Sequence, residues 1–136
     1  MNFGICEKVI NHRLIVFKEN RSKLVIENTK RKNVRRIEVD GCVLKEGLRC
    51  DYLMITENNT EYFIELKGGD VQHALSQLKT TINHISEDPK HGLKHCFIIC
   101  TRHPALTPKI QRMKMELKRK FNSLLTIKGI TCKHQL

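Results

Sequence analysis

Two acidic residues and a lysine lie close together between residues 50 and 70. Glu65 follows Asp51 after 13 intervening residues, and Lys67 comes two positions later. Neighbouring carboxylates repel one another, which raises the pKa of one of them unless a cation neutralises the pair. Carboxylate oxygens suit Mg²⁺ or Mn²⁺, and an adjacent lysine can orient or deprotonate an attacking water. These residue types therefore indicate metal-assisted hydrolysis of a phosphodiester.

The local strand pairing decides whether these side chains meet. Apolar runs flank a polar tip at residues 57–61, which is typical of a β-hairpin. Opposed residues of an antiparallel pair project to the same side, so Asp51 must lie opposite either Glu65 or Lys67. The second register has a three-residue loop, Asn58–Thr60, in which asparagine fits the left-handed position. A two-residue turn would instead point Asp51 away from the other two side chains.

The segments around the hairpin predict an α/β fold. Alternating apolar residues predict a strand over residues 34–44. The apolar stripe of Val71–Ser86 predicts a helix, with Asp70 as its N-cap. The nearly continuous apolar run His95–Thr101 favours a buried parallel strand after a helical crossover. We therefore expect a mixed sheet with an antiparallel three-strand meander, a crossover helix and a following parallel strand, flanked by helices.

This arrangement resembles the PD-(D/E)XK nuclease superfamily, which includes restriction endonucleases, Holliday-junction resolvases and RecB-type nuclease domains. The likeness covers about residues 38–100 and is carried by Asp51 and by the run Glu65-Leu66-Lys67-Gly68 before a helix. It implies a restriction endonuclease-like core and a metal-dependent endonuclease that hydrolyses phosphodiester bonds in DNA. The resemblance also implies that Mg²⁺, or Mn²⁺, is bound by Asp51, Glu65 and the carbonyl of Leu66, and that Lys67 is the catalytic lysine.

Three further side chains are candidate auxiliary groups. Gln77 loosely matches a glutamine that RecB-type nucleases carry on this helix, although Thr81 stands where they have tyrosine. Glu7 is either the extra acidic residue that the superfamily often places before its first core strand or a surface carboxylate. Asp40 is either a turn residue beside Gly41 or an outer metal ligand.

Positive charge is concentrated in the last third of the chain. The net charge is +11, and residues 90–136 contain eleven Lys or Arg residues against one acid, Glu116. This asymmetry indicates a polyanion partner, and the scarcity of aromatic residues favours duplex backbone contact over base stacking. Thr107 and Pro108 predict the start of a helix. Its charged side chains either face solvent only or contact the phosphate backbone of a nucleic acid. The expected nucleic-acid contacts are Lys109, Arg112, Lys114, Lys118, Arg119, Lys120, Arg35 and Arg36.

Length and composition favour one nuclease-like domain over residues 1–136, with a core at about 34–101 and a basic helix at about 107–121. No apolar run approaches the roughly 18 residues of a membrane span, and no signal region is evident. We therefore expect a cytoplasmic protein that contacts no membrane and keeps its six cysteines reduced. The cysteine spacing contains no C-x-x-C knuckle, so no zinc is expected.

The segments outside the predicted core have weaker patterns. Apolar residues within 5–10 fit a short helix, and Leu14–Phe17 and Leu24–Ile26 predict strands. Leu124–Cys132 fits an additional edge strand.

A chain this small covers little duplex, and related nucleases often dimerise to cut both strands, so we expect a homodimer. The alternative function is a catalytically inactive nuclease-like module that binds nucleic acid or a protein partner. Branched and linear duplexes, and RNA as well as DNA, are all compatible with the charge pattern.

Overall fold

The fold is built on a six-stranded mixed sheet. The computed structural model describes residues 1–66 and 70–136. In sheet order the strands are β1 (Glu7–Ile10), β4 (Val34–Glu38), β5 (Tyr52–Ile55), β6 (Glu61–Leu66), β7 (Lys94–Cys100) and β8 (Ser123–Gly129). The strands from β1 to β6 pair antiparallel, whereas β7 is parallel to β6 and β8 is parallel to β7. The predicted α/β class and the mixed sheet are confirmed.

Helix α1 (Val71–Ile85) makes the crossover between β6 and β7. It begins where the sequence predicts, because the carboxylate of Asp70 accepts a 3.1 Å hydrogen bond from the His73 amide and caps the first turn. Leu75, Leu78 and Ile82 are fully buried between the helix and the sheet. This apolar stripe fixes which side of α1 faces β6.

Helix α2 (Pro108–Phe121) lies on the same face of the sheet and shares its core with α1. Thr107 caps its start by accepting from the Ile110 amide at 3.3 Å. Asn122 ends the helix in the left-handed conformation, with φ of 51°. Within the described ranges, no helix is long and apolar enough to cross a lipid bilayer.

A second, three-stranded sheet covers the opposite face of the main sheet. It consists of β2 (Leu14–Glu19), β3 (Ser22–Glu27) and β9 (Thr131–Gln135), with β9 parallel to β3. The predicted strands in the Leu14–Ile26 segment are confirmed. The predicted edge strand over Leu124–Cys132 is present as β8 at the edge of the main sheet, but it ends at Gly129. Ile130, at φ of 66°, turns the chain out of the main sheet and into the second one.

Two other local predictions are corrected by the structure. Residues 5–10 do not form a helix of regular length: a short 3₁₀ turn, Gly4–Cys6, leads directly into β1, whose backbone groups pair with β4. The predicted strand over residues 34–44 ends at Glu38, because Gly41, at φ of 81°, starts a tight turn closed by the Leu44 amide on the Val39 carbonyl at 3.0 Å.

The two corrected segments are joined covalently. Cys6 and Cys42 form a disulfide with a Cα–Cα distance of 5.7 Å, so the expectation of six reduced cysteines is wrong for this pair. The other four cysteines, Cys50, Cys96, Cys100 and Cys132, are free and buried. Disulfides are typical of oxidising compartments, and the cytoplasmic location remains a prediction.

Candidate active site

The pairing of β5 with β6 brings the two predicted acidic residues together. Tyr52 lies opposite Ile64, which is the register that places Asp51 level with Glu65. The two carboxyls are within hydrogen-bonding reach of each other, and this contact lowers the pKa of Asp51 and raises the pKa of Glu65. Of the two registers open to the sequence, the structure therefore has the one that pairs these carboxylates. The three-residue loop is Glu57–Asn59, one position earlier than the alternative register requires, and Asn59 takes the left-handed conformation at φ of 65°.

Glu65 is a buried acid with a carboxylate oxygen that is unsatisfied in the described structure. Its side chain lies at the end of β6, the residue is only 6% exposed, and its Oε1 atom is buried without a hydrogen-bond partner among residues 1–66 and 70–136. Burial, and then the adjacent charge of Asp51, raise the pKa of Glu65 to about 9. An unpartnered buried carboxylate oxygen is costly unless a proton or a cation satisfies it.

Asp51 is half-buried, and main-chain amides donate hydrogen bonds to both its side chain and its carbonyl. Its Oδ2 atom accepts from the Leu66 amide at 2.7 Å, and its carbonyl accepts from the Val39 and Asp40 amides at 3.0 and 3.3 Å. Burial raises the pKa of Asp51, while the Leu66 amide and a hydrogen bond to the Glu65 carboxyl lower it. In the absence of a cation the two carboxyls therefore share a proton, and they titrate as a pair.

The shared proton predicts how the stability of the metal-free protein depends on pH. The folded state holds a proton on Glu65 from its ordinary pKa of 4.5 up to about 9, whereas the unfolded chain releases it near 4.5. The unfolding free energy should therefore fall as the pH rises through this window, by at most ~1.4 kcal/mol per pH unit. Urea denaturation in EDTA measures the slope. Glu65→Gln should flatten it, and an unchanged slope in this variant would show that the proton lies elsewhere.

Helix α1 fixes the main chain immediately before Asp51. The Gln77 side-chain amide donates to the Arg49 carbonyl at 3.0 Å, and the fully buried Thr81 hydroxyl accepts from the Cys50 amide at 2.8 Å. The structure thus places the predicted auxiliary Gln77 on the backbone two residues from Asp51. Thr81, the residue in the position of the expected tyrosine, makes a second contact of the same kind.

Two further carboxylates lie near the acid pair. The charges of Glu19 and Asp40 both raise the pKa values of Asp51 and Glu65. Asp40, predicted as a possible outer ligand, pairs with the Arg49 guanidinium at 2.6 Å. Glu19 was not among the predicted site residues; it ends β2 on the face that Phe17 turns toward the main sheet, and this alternation was the signal for its inward position.

Three predicted site residues have other partners within the protein. Glu7 lies on β1 and forms a bidentate pair with Arg35 at 2.7 and 2.9 Å, which lowers the pKa of Glu7. The Arg36 guanidinium stacks on the rings of Phe17 and Tyr52 at 4.3 and 5.1 Å. Both arginines are thus engaged within the protein rather than free for phosphate. The predicted catalytic Lys67 lies outside the described residues.

The basic helix presents several unpaired cations. The side chains of Lys109, Arg112 and Arg119 are exposed and make no ion pair with the residues that the structure describes. Lys120 pairs with Glu116 at 3.2 Å, and Lys118 donates to the Asn122 side chain at 3.2 Å. Lys114 is half-buried on the same helix. The exposed face of α2 therefore has the positive charge that the sequence predicts.

The donor set at the acid pair is small. Among residues 1–66 and 70–136, no group of three or more His, Cys, Asp or Glu side chains is arranged to hold a metal ion. The pair itself fits a hard cation, because Glu65 Oε1 lacks a donor and both groups offer carboxylate oxygens. Water and phosphate oxygens would have to supply most of the remaining ligands, which is usual for Mg²⁺.

Comparisons with protein-family models, with curated proteins and with solved structures find no match to this chain.

Proposed function

We propose that this protein is a metal-dependent endonuclease that hydrolyses phosphodiester bonds in DNA, with Asp51 and Glu65 as the ligands of Mg²⁺ or Mn²⁺. The observation that carries the proposal is the buried Oε1 atom of Glu65, which has no hydrogen-bond partner in the described part of the chain and lies beside the Asp51 carboxyl. A structural acid at this depth would be expected to have hydrogen-bond donors of its own. A cation at this position would replace the shared proton and neutralise both charges.

Each residue of the pair has a defined role in this proposal. The Leu66 amide holds one oxygen of Asp51, which leaves its other oxygen and the free oxygen of Glu65 for the cation. When bound, Mg²⁺ supplies charge stabilisation to the phosphate and lowers the pKa of a bound water. We assign Leu66 the carbonyl ligand and Lys67 the orientation or deprotonation of the attacking water, on the resemblance to the PD-(D/E)XK superfamily.

Two features outside the pair support the proposal. The antiparallel β4–β5–β6 meander, followed by α1 and the parallel β7, has the element order that the resemblance implies. The exposed cations of α2 suit a polyanionic substrate.

A homodimer that cuts both strands is part of the proposal. Light scattering of the protein with bound duplex measures the mass of the complex, and a mass with one protein chain would contradict the homodimer.

The direct test is cleavage of supercoiled plasmid, linear duplex, single strands and a four-way junction in Mg²⁺, Mn²⁺ or EDTA. We expect cutting with either metal and none in EDTA, because the acid pair alone cannot neutralise the phosphate. The preferred substrate would identify the class of nuclease. If every substrate stayed intact and DNA bound equally well in EDTA, the protein would instead be a nuclease-like binding module.

A further inference from the structure

A cavity of about 420 Å³ opens at the edge of the main sheet where β7 ends. Its walls come from the first residues of α1, the end of β7 at Cys100, the segment Arg102–Ala105 and the start of α2. Glu65 lies level with Ile98 on β7, so Cys100 is two residues further along, or about 7 Å. The cavity and the acid pair therefore face the same edge of the sheet.

The cavity carries cationic and hydrogen-bonding side chains without internal partners. Arg102 and His103 are exposed on its wall, and neither side chain makes an ion pair or hydrogen bond within the described part of the chain. Asp70 also borders the cavity, but its carboxylate is engaged in capping α1 through the His73 amide. Arginine is always charged and its planar fork matches phosphate oxygens, so this wall suits an anion.

The main chain of Arg102 and His103 is fixed against β8. A Cβ atom placed on Gly129 would lie 2.9 Å from the Cα atom of His103 and 3.0 Å from the Arg102 carbonyl oxygen. The next residue, Ile130, donates its amide to the Cys100 carbonyl at 2.8 Å. Only glycine permits this close approach, so Gly129 sets the position from which both side chains extend.

We propose that this cavity binds a phosphate group of the nucleic-acid strand, next to the phosphodiester at the acid pair, and that Arg102 and His103 are its ligands. This inference rests on the proposed function and specifies how the substrate strand reaches the site. Thr107 and Ile110 line the same cavity, and the unpaired Lys109 on the first turn of α2 continues the positive surface beyond it. The strand would thus run from α2 across the Arg102–His103 segment to Glu65.

The test measures binding without cleavage, by fluorescence anisotropy of a labelled duplex in EDTA. Arg102→Ala with His103→Ala should weaken affinity about tenfold and lower the slope of log affinity against log salt by about 1. The control is Lys90→Ala with His91→Ala, a Lys-His pair that is also exposed but precedes β7, at its other end. We expect the control to change affinity less than about twofold, and equal losses in the two double variants would overturn the inference.

A second variant tests the position rather than the charge. Gly129→Ala retains every cation but pushes the Arg102–His103 main chain away from β8, so it should weaken duplex binding in the same direction. Steady-state cleavage separates this inference from the proposed function: the double variant should raise KM with little change in kcat. Binding that depends on Arg102 and His103 without any cleavage would remove the nuclease activity and leave the phosphate site. If the double variant cleaved DNA with the KM of the wild type, the nuclease activity would stand and the phosphate site would be overturned.

Discussion

Glu65→Gln is expected to lower metal-dependent cleavage by at least about 100-fold, since it removes a charge that the proposed cation requires. Glutamine keeps the size of the side chain, and the residue is buried, so the packing at the end of β6 is preserved. The new amide can donate to Asp51, which is the role of the shared proton in the metal-free protein. In EDTA the variant should therefore be as stable as the wild type at neutral pH, or more stable.

Glu61→Gln is the matched control for this prediction. Glu61 lies on the same strand and the same face as Glu65, four residues away or about 13 Å, and it is also buried. Its carboxylate has ordinary partners, the Ser86 hydroxyl at 2.5 Å and the Glu87 amide at 3.1 Å. Plasmid cleavage should persist in this variant, provided that circular dichroism shows it to be folded. Full activity in Glu65→Gln would eliminate the proposed metal site.

Neutralising the free cations of α2 is the second change with a large expected effect. The triple variant Lys109→Ala, Arg112→Ala and Arg119→Ala should weaken duplex binding about 100-fold at low salt. These residues are exposed and have no internal partners in the described structure, so each can displace a counterion from a phosphate. The slope of log affinity against log salt should fall by up to about 2.7, or about 0.9 for each contact. Filter binding over a salt series measures both quantities.

A triple variant of equal charge controls for the loss of net positive charge. Lys8, Lys18 and Lys30 are exposed and lie on β1, on β2 and after β3, away from α2. Their replacement by alanine changes the net charge by the same amount as the α2 variant. If both variants lost affinity equally, binding would depend on the overall field of the protein and not on a defined face of α2.

The sequence was sufficient for the elements that have strong local signals. The apolar stripe and N-cap of α1, and the Thr107-Pro108 start of α2, each predicted a helix that the structure contains. The alternation in the hairpin limited Asp51 to two partners, but the choice between them depends on turn geometry. The structure places the loop one residue earlier than the alternative register requires, with Asn59 as its left-handed residue.

The features that the sequence did not reveal depend on long-range contacts. The sequence predicted that Arg35 and Arg36 contact nucleic acid. In the folded chain Arg35 instead pairs with Glu7, and Arg36 stacks on two aromatic rings. The Cys6–Cys42 disulfide could not be predicted from spacing, because it depends on β1 pairing beside β4. The alternation along β2 indicates the inward side of Glu19, but the proximity of Glu19 to the acid pair depends on how the second sheet packs.

The parallel pairing of β3 with β9 sets the order in which the molecule can be completed during synthesis. It joins residues 23–27 to residues 131–135, so the paired residues are separated by most of the chain. Pairs with such a long sequence separation raise the contact order of the protein. A growing chain on the ribosome has β2 and β3 long before it has β9, and until then the edge of β3 is unpaired. The sheet that carries Glu19 is therefore completed only after β9 has been synthesised, later than the strands that carry Asp51 and Glu65.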